Sequence, residues 1–468
     1  MNFREPLKQS QLLPGNLAGK TAICDLFVGV VSAAVLTAAP TCCADNPVAQ
    51  TCFTADPAPM VYKDTLYLVT SHDEDDARGF HMLDWRCFTT KDMVNWTDHG
   101  AIASLTNFPW ANQNNDAWAP QAIERDGKFY LYVPVTVQGG GRNVIAVAVA
   151  DNPLGPYKDP LGHPLVGPRN GYIDPTIFVD DDGQAYLYFG NPNDWYVKLN
   201  QDMISYSGEV MQAAGKPSNY QEGPWLCKRN GHYYLIYASH CCPEGIGYAM
   251  SDQPTGPWTY KGMVMDPSPI SDGNHPGVID FKGKSYVFGF SYTLNWEIAD
   301  IKRERRSVCV AEMTYNDDGT IQKVPWWTPE GVPQVGHLNP FEQVDAATIC
   351  YEKGIKAKPR GGDKPGMYVS ATNNGAYIKI KGVDFGEKGA ASFSASVSSA
   401  TPGATMALRL DSETGKTVGS LKPAAAGASD DWQTQSCKIT GARGVHDLYL
   451  KFFGSASTIM NLDWWKFE

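Results

Sequence analysis

Five stretches in the N-terminal part of the chain repeat one pattern of apolar and polar residues. Each has a proline near its start, an apolar segment, a polar turn that usually carries glycine, and a segment of aromatic and aliphatic residues. Two short apolar segments joined by such a turn predict a β-hairpin. The predicted hairpins span residues 55–69, 118–133, 173–189, 222–237 and 275–290.

The second segments of these hairpins align on one tyrosine each, with a repeat of about 50 to 65 residues. The aligned residues are Tyr67, Tyr130, Tyr186, Tyr234 and Tyr286. A repeat of that length built from strands predicts the blades of a β-propeller. We therefore predict a five-bladed β-propeller over residues 46–330.

The pattern changes after a proline-rich linker at residues 324–340. Short alternating strands rich in Gly, Ala, Ser and Thr follow, as in residues 391–415, and this pattern predicts a β-sandwich. The predicted fold class is all-β, with a five-bladed β-propeller followed by a β-sandwich (jelly-roll) domain at residues 341–468.

Composition narrows the class of partner. The 468 residues are 43% hydrophobic and 12% aromatic, which is typical of a turn-rich β protein of two folded units. A net charge of −11 without a long basic run disfavours nucleic acid and anionic membrane surfaces. Neutral sugar polymers suit the chain better, because aromatic rings stack on sugar faces and carboxylates accept hydrogen bonds from hydroxyls. The sequence indicates no oligomeric state.

The N-terminus has the order of a secretory signal. Three basic residues precede an apolar stretch at residues 22–44 that ends in small residues, which predicts a leader over residues 1–44 and a secreted, periplasmic or cell-surface protein. A membrane anchor is the alternative, but Asp25 and the small residues argue against a stable span.

Eight of the 11 cysteines follow the leader, without the regular spacing of a zinc site. Cys350 and Cys437 could form a disulfide, and the adjacent Cys241 and Cys242 are interpreted as structural.

The hairpin alignment also places candidate catalytic residues at equivalent positions. Positions eleven or twelve residues before the aligned tyrosines are Asp56, the pair at 118–119, Asp174, Glu222 and His275. Because the inner strands of a propeller line its axis, these side chains are predicted to meet at one end of the channel. Three acids near aromatic residues such as Trp118 and Trp225 suit either glycoside hydrolysis or cation binding. A neighbouring negative charge would raise the pKa of the acid that donates a proton.

The segments ADPAP, YIDPTIF and EGPW, in this order, resemble glycoside hydrolase family 43. This resemblance implies that Asp56 is the general base, Glu222 the general acid, and Asp174 the residue that tunes Glu222 and helps to hold the sugar. It also implies an inverting mechanism, with the carboxyl groups of Asp56 and Glu222 about 6.5 to 9.5 Å apart.

Further segments, SHDEDD at 71–76, NDAWAPQ at 115–121 and RRSVCV at 305–310, resemble the arabinoxylan arabinofuranohydrolases of that family. They imply removal of arabinofuranosyl side groups from arabinoxylan. The alternatives are a β-xylosidase, arabinanase or xylanase of the same family, a fructan hydrolase, which Ala55 disfavours, and a non-catalytic sugar-binding protein, which the intact acids disfavour.

The same resemblance extends to residues around the acids. Asp73 could line the sugar pocket, with a solvated acidic loop as the alternative. Arg305 is a candidate substrate-binding residue, and Arg305 or Arg306 could orient Asp56 while the other lies on the surface. His275 matches an axial histidine that faces a calcium ion or a water cluster, and a buried histidine bonded to backbone is the alternative. We expect any calcium to be unnecessary for the chemistry.

The C-terminal segments YVSATNNGAYIKIKGVDFG, DDWQTQS and GVHDLYLKFFGSASTIMNLDWWKFE resemble carbohydrate-binding module family 6. This resemblance implies that Tyr368 and Trp432 enclose a sugar and that Asn461 bonds its hydroxyls, unless the two aromatic residues belong to the core. The family's usual glutamate pair appears here as Asp345 and Ala347, so it stays open whether this module binds the family's structural calcium.

Overall fold

The computed structural model describes residues 46–268, 274–298, 305–361, 366–398, 401–423 and 431–468, and of residues 297 and 298 only the backbone. The predicted leader lies outside these ranges. Helix is confined to α1 (Thr293–Ile298) and a 3-10 turn at Leu105–Asn107 within the described residues. None of the helices in these ranges is long and apolar enough to cross a membrane.

Five antiparallel sheets follow one another along the N-terminal part of the chain. The first contains β1 (Phe53–Tyr62), β2 (Thr65–Asp73), β3 (Asp84–Thr90) and β4 (Trp96–Ser104). The second contains β5 (Gln121–Arg125), β6 (Lys128–Thr136) and β7 (Asn143–Ala150). The third contains β8 (Thr176–Val179), β9 (Ala185–Phe189), β10 (Trp195–Leu199) and β11 (Tyr206–Gln212). The fourth contains β12 (Tyr220–Arg229), β13 (His232–Ser239), β14 (Gly245–Ser251) and β15 (Thr259–Met265). The fifth contains β16 (Gly277–Phe281), β17 (Lys284–Ser291) and β18 (Ser307–Met313).

The first strands of the five sheets contact one another in a closed ring, from β1 through β5, β8, β12 and β16 back to β1. This is the arrangement of a five-bladed propeller, so the predicted fold is confirmed. The aligned tyrosines all lie on the second strand of a blade. The first residues that the structure describes add to this closure, because the backbone N–H of Val48 donates to the carbonyl of Val308 on the last blade (2.8 Å).

Strand β7 shows why the blades have apolar residues on both faces. Val144, Ala146 and Ala148 pack into a core shared with the first blade. Ile145 and Val147 pack into a core shared with the third blade. Each blade of the ring packs between two neighbours, so its strands show continuous rather than alternating hydrophobicity.

The C-terminal strands form two facing sheets with one shared core, as predicted for a β-sandwich. One sheet has the order β22 (Ile355–Pro359), β23 (Met367–Ala371), β30 (Met460–Phe467), β25 (Ser392–Ser398) and β28 (Gln433–Lys438), with β19 (Val344–Asp345) paired to β30. The other has the order β21 (Tyr351–Lys353), β24 (Tyr377–Asp384), β29 (Val445–Phe453), β26 (Thr405–Leu410) and β27 (Thr417–Leu421).

The two domains are joined by backbone hydrogen bonding as well as by the linker. Strand β20 (Thr348–Ile349) pairs with β4 and extends the first blade to five strands. The Asn95 side chain completes the junction, because its Nδ2 donates to the carbonyl of Lys381 and its Oδ1 accepts from the N–H of Lys381, both at 2.8 Å. Residues 43–468 accordingly form one compact unit.

The cysteines answer a question that the sequence left open. Cys350 and Cys437 are not joined by a disulfide. Cys350 directly precedes β21, at one edge of its sheet. Cys437 lies on β28 of the facing sheet, which contacts β27 at the opposite edge of the sheet that contains β21. Cys241 and Cys242 form a disulfide in the loop between β13 and β14.

Ring closure depends on a close approach at Gly277, where a Cβ atom would lie 2.3 Å from the carbonyl oxygen of Pro57. We predict that Gly277→Ala lowers the free energy of unfolding by about 1 to 3 kcal/mol, because the fifth blade would have to move away from the first. Urea unfolding followed by tryptophan fluorescence measures this. Gly140→Ala is the matched control, since its Cβ would meet only ordinary contacts at 3.8 Å or more, and equal effects of the two changes would contradict the prediction.

Candidate active site

Five residues that each precede a proline surround one end of the propeller axis. They are Asp56, Ala119, Asp174, Gly223 and His275, and together with their prolines they line one small space. The convergence predicted from the repeat is therefore present for three of the proposed site residues. Glu222 lies one residue earlier, because in its strand the residue before the proline is Gly223.

The backbone at these positions turns the carboxylates toward the axis. Asp56 and Asp174 have positive φ angles of 53° and 57°, which are costly for residues with a side chain. At Asp56 the strand register shifts between Ala55 and Ala58. Gly223 also has a positive φ, and a Cβ there would lie 2.8 Å from the His275 ring, so glycine is required.

Above this ring lies an open cavity of about 210 Å³. It is lined by Asp56, Phe80, Met82, Trp118, Ile173, Asp174, Glu222, His275 and Arg306. Glu222 is the most accessible of the three acids, with 17% of its side chain exposed against 3% for Asp56 and 4% for Asp174. The cavity thus has two deeply buried carboxyl groups and one that faces its interior.

Both oxygens of Asp56 are held by hydrogen bonds. The Ser71 hydroxyl donates to its Oδ2 (2.5 Å), and an Nη of Arg306 donates to its Oδ1 (2.9 Å). These two donors fix the orientation of the Asp56 carboxyl group in the cavity.

Arg306 is in turn oriented by Asp73. Its Nε and its other Nη donate to the two oxygens of Asp73, and its backbone N–H donates to the same carboxylate. Asp73 is fully buried. The prediction that Asp73 lines the sugar pocket is therefore wrong, since it lies behind Arg306.

The two adjacent arginines have different roles. Arg306 binds Asp56, whereas Arg305 donates to the carbonyls of Ala77 and Gly79 in the loop that carries Phe80. Both are buried, so neither lies on the surface. Arg305, taken from the sequence as a substrate-binding residue, supports the cavity wall without lining it.

His275 lies between all three acids. Its Nε2 is 3.2 Å from Glu222 Oε1 and 3.7 Å from Asp174 Oδ2, and its Nδ1 is 3.5 Å from Asp56 Oδ1. Burial works against its charged form, but Asp174, Asp56 and Glu222 together raise the pKa of His275 to about 10. The imidazole therefore carries a proton and supplies positive charge to the cluster.

The carboxyl group with the raised pKa is that of Asp174 and not that of Glu222. Burial, with the charges of Glu222 and Asp56, raises the pKa of Asp174 to about 8 against the opposing charge of His275. Burial also favours the neutral form of Glu222, but hydrogen bonds from His275 and Asn191 lower its pKa overall. The sequence-based expectation of a raised pKa on Glu222 is thus not met in the ligand-free protein, where Asp174 holds the proton.

Asn191 and Ser71 are functional residues that the sequence reasoning missed. Asn191 lies in the turn between β9 and β10, and its Nδ2 donates to Glu222 Oε2. Phe80 was missed as well, although it lines the cavity with its ring 4.7 Å from the Arg306 guanidinium carbon. Asn191 and Phe80 lie in loops that carry no repeat signal, and Ser71 lies on β2 without an equivalent in the other hairpins, so only proximity in space identifies them.

The two predicted aromatic residues of the pocket differ in position. Trp118 lines the cavity, and its buried Nε1 has no hydrogen-bond partner among the described residues. Trp225 is buried in the core between the fourth and fifth blades and does not line the cavity. Trp225 also lines the small axial space that Asp56, Asp174 and His275 surround, and its contact with a sugar stays a prediction.

A metal ion could bind within the cluster. One ligand atom from each of Asp174, Glu222 and His275 lies within 4.8 Å of the others. Asp174 Oδ2 has no hydrogen-bond partner in the described part of the chain, which leaves it available as a ligand. The carboxylates fit a hard cation such as calcium, whereas a protonated His275 could not be a direct ligand.

In the second domain, Tyr368 and Trp432 lie close together, but they do not enclose a gap. Their ring centroids are 5.2 Å apart at an interplanar angle of 71°, an edge-to-face contact. Asn461 is buried, accepts a hydrogen bond from Ser370 and donates to Ser398. The structure thus places all three residues on one sheet face, with the aromatic rings in direct contact and the amide engaged by serines.

A propeller with three carboxyl groups around a pocket at its axis defines a glycoside hydrolase, since two carboxyl groups on opposite sides of a sugar are the catalytic requirement. Comparisons with known proteins agree. The family described as glycosyl hydrolases family 43 matches residues 44–321, and carbohydrate binding module (family 6) matches residues 345–468. The chain belongs to glycosyl hydrolases family 43 and carries a carbohydrate-binding module of family 6.

Individual relatives cover both domains. An arabinoxylan arabinofuranohydrolase of Paenibacillus polymyxa is 33% identical over 90% of this chain and 74% of its own length. The crystal structure of a family 43 arabinoxylan arabinofuranohydrolase from Bacillus subtilis, in complex with cellotetraose, has a TM-score of 0.80 at 30% identity and covers 90% of this chain and 97% of its own. CoXyl43, a β-xylosidase/α-arabinofuranosidase from a compost microbial metagenome solved in a calcium-free form with xylotriose, has a TM-score of 0.54 at 30% identity over 60% of this chain and 96% of its own.

Arg306 gives a test of the site's electrostatics. We predict that Arg306→Met lowers the free energy of unfolding by about 3 to 5 kcal/mol, because Asp56 and Asp73 would remain buried without their positive partner. Urea unfolding at pH 7 measures the change. Lys128→Met, which removes an exposed ion pair with Asp151, is the control and should leave the unfolding midpoint unchanged; a similarly small effect of Arg306→Met would contradict the prediction.

Proposed function

We propose that this enzyme removes α-L-arabinofuranosyl side groups from arabinoxylan with inversion of configuration, and that its second domain binds the polysaccharide. The observation that carries the proposal is the pair of unlike carboxyl environments in one cavity. Asp56 is held by hydrogen bonds from Arg306 and Ser71, while Glu222 is the more accessible acid and lies beside Asp174, whose pKa is raised to about 8.

The roles follow from these environments. Asp56 is suited to accept a proton from the attacking water, since both its oxygens are oriented by donors on the far side. Glu222 is suited to protonate the leaving oxygen, because it is the acid that faces the cavity. An ionised Asp174 would favour the protonated form of Glu222, because a neighbouring negative charge raises the pKa of a carboxyl group.

The size of the cavity supports action on single sugar units. A volume of about 210 Å³ is below the range of about 300 to 1,000 Å³ typical of pockets that enclose drug-sized ligands, and suits one pentose. Trp118 and Phe80 provide aromatic surfaces for its apolar face. A pocket of this kind favours removal of a terminal or side-chain unit over cleavage within a polymer chain.

The choice of arabinose over xylose is supported by the relatives that match both domains. The Paenibacillus polymyxa and Bacillus subtilis proteins, which cover 90% of this chain, are both named arabinoxylan arabinofuranohydrolases. A β-xylosidase would need a pocket of similar size, so product analysis distinguishes the two.

Export is part of the proposal, since arabinoxylan is a polymer found outside cells and the enzyme must reach it. The Cys241–Cys242 disulfide is consistent with an oxidising compartment. Detection of the protein in culture medium, with its N-terminus starting after the predicted leader, tests this.

The catalytic assignment is tested with Asp56→Asn and Glu222→Gln on arabinoxylan. We predict that each lowers kcat by about 10²- to 10⁴-fold, because each removes one proton-transfer group, and that NMR of early product shows the inverted anomer of arabinose. Asp126→Asn is the matched control, since Asp126 is also an aspartate with positive φ but lies in an exposed turn. Retained configuration would refute the mechanism, and release of xylose alone would refute the substrate.

We also propose that calcium binds in the channel beside His275, with Asp174 as the carboxylate ligand, and that it stabilises the cluster without taking part in the chemistry. The support is the set of ligand atoms within 4.8 Å and the unpartnered Asp174 Oδ2. Calcium added after chelation should raise the melting temperature of the wild type and leave that of Asp174→Asn unchanged. An equal rise in both proteins would contradict the proposed site.

A further inference from the structure

Glu244 is a buried acid close to the active site that the proposed reaction does not use. It ends the loop between β13 and β14, and only 2% of its surface is exposed. Its Oε2 accepts a hydrogen bond from the backbone N–H of Asn274 at 2.7 Å. Because Asn274 directly precedes His275, this bond fixes the backbone that carries the central histidine of the cluster.

Asn274 is held from a second side as well. It is fully buried, and its Oδ1 accepts a hydrogen bond from the backbone N–H of Phe290 at 3.2 Å. Two bonds from different elements therefore fix Asn274. Of these two, the bond to Glu244 acts on the backbone and thus on the direction in which the chain enters His275.

The loop that carries Glu244 is itself constrained. It is closed by the pairing of Ser239 with Gly245 and contains the Cys241–Cys242 disulfide. One ligand atom from each of the two cysteines and Glu244 lies within 4.8 Å of the others, so the disulfide lies beside the carboxyl group. The backbone N–H of His240 donates to the carbonyl of Asn219 (3.0 Å), three residues before Glu222.

The loop thus joins the two segments whose side chains must meet. One anchor is next to the strand that carries Glu222, and the other is the residue before His275. We propose that Glu244 is a positioning residue that holds His275 at hydrogen-bonding distance from Glu222, and so sets the proton transfer to the leaving oxygen. This inference rests on the proposed role of Glu222 as the general acid.

The charge state of Glu244 suits this role. Burial and the nearby charge of Glu222 raise its pKa to about 8, against the charge of His275. A neutral carboxyl group can accept the Asn274 hydrogen bond without adding a further negative charge near Glu222. Glutamine in its place would be neutral and could accept the same bond.

The test compares Glu244→Ala and Glu244→Gln on two substrates that differ in leaving group. The leaving group of arabinoxylan is a sugar hydroxyl, which needs full protonation by Glu222. The leaving group of 4-nitrophenyl α-L-arabinofuranoside is a stabilised phenolate, which needs little protonation. We expect Glu244→Ala to lower kcat at least tenfold on arabinoxylan and less than threefold on the aryl substrate. Glu244→Gln should stay within threefold of the wild type on both.

Glu352→Ala is the matched control, because Glu352 also accepts a backbone hydrogen bond, from Ile355 at 2.8 Å, but in the second domain. It should change kcat on the two substrates by the same factor. If melting curves show that Glu244→Ala is unfolded, Glu244→Asp, whose shorter side chain withdraws the acceptor, takes its place with the same expectation.

Equal losses on both substrates, no loss on either, or a Gln variant that behaves like the Ala variant would each overturn the inference. Failure of the proposed function would be seen separately. In that case Glu222→Gln would itself retain activity on arabinoxylan, whatever the Glu244 variants do.

Discussion

Three carboxyl groups within one small cavity repel one another, and the active site exists only because the protein supplies positive charge beside them. Arg306 balances Asp56 and Asp73, and a protonated His275 lies between Asp56, Asp174 and Glu222. Since these groups are largely removed from water, each ion pair is strong, and each unpaired charge would be costly. The remaining imbalance is relieved by a proton on Asp174, whose raised pKa follows from its burial and its neighbours.

The propeller provides the rigid framework that holds these charged groups close together. The closed ring of inner strands gives five equivalent positions at the axis, and apolar contacts between blades hold those strands in place. Positive φ angles at Asp56 and Asp174 are costly, and rigid surroundings are what allow them to persist. The second domain adds to this rigidity through the pairing of β20 with the first blade.

Several predictions about the site failed for one common reason. The sequence shows that two arginines are adjacent at 305 and 306, but strand direction decides that Arg306 faces the axis and Arg305 the loop near Gly79. It shows an acid at 73, but not that Arg306 covers it. It shows a tryptophan at 225, but not that this residue packs into the core between two blades and lines only the small axial space.

The sequence by itself determined the repeat, the five blades, the sandwich and the three acids, because these depend on local patterns of apolar residues, turns and prolines that recur along the chain. Only the tertiary structure decided which groups surround those acids. Asn191 and Glu244 lie in loops without a repeat and Ser71 lies on β2, and their partners are 15 to 31 residues away. The position of the proton on Asp174 depends on burial and on the summed charges of distant segments, and these are properties of the folded chain that no local pattern contains.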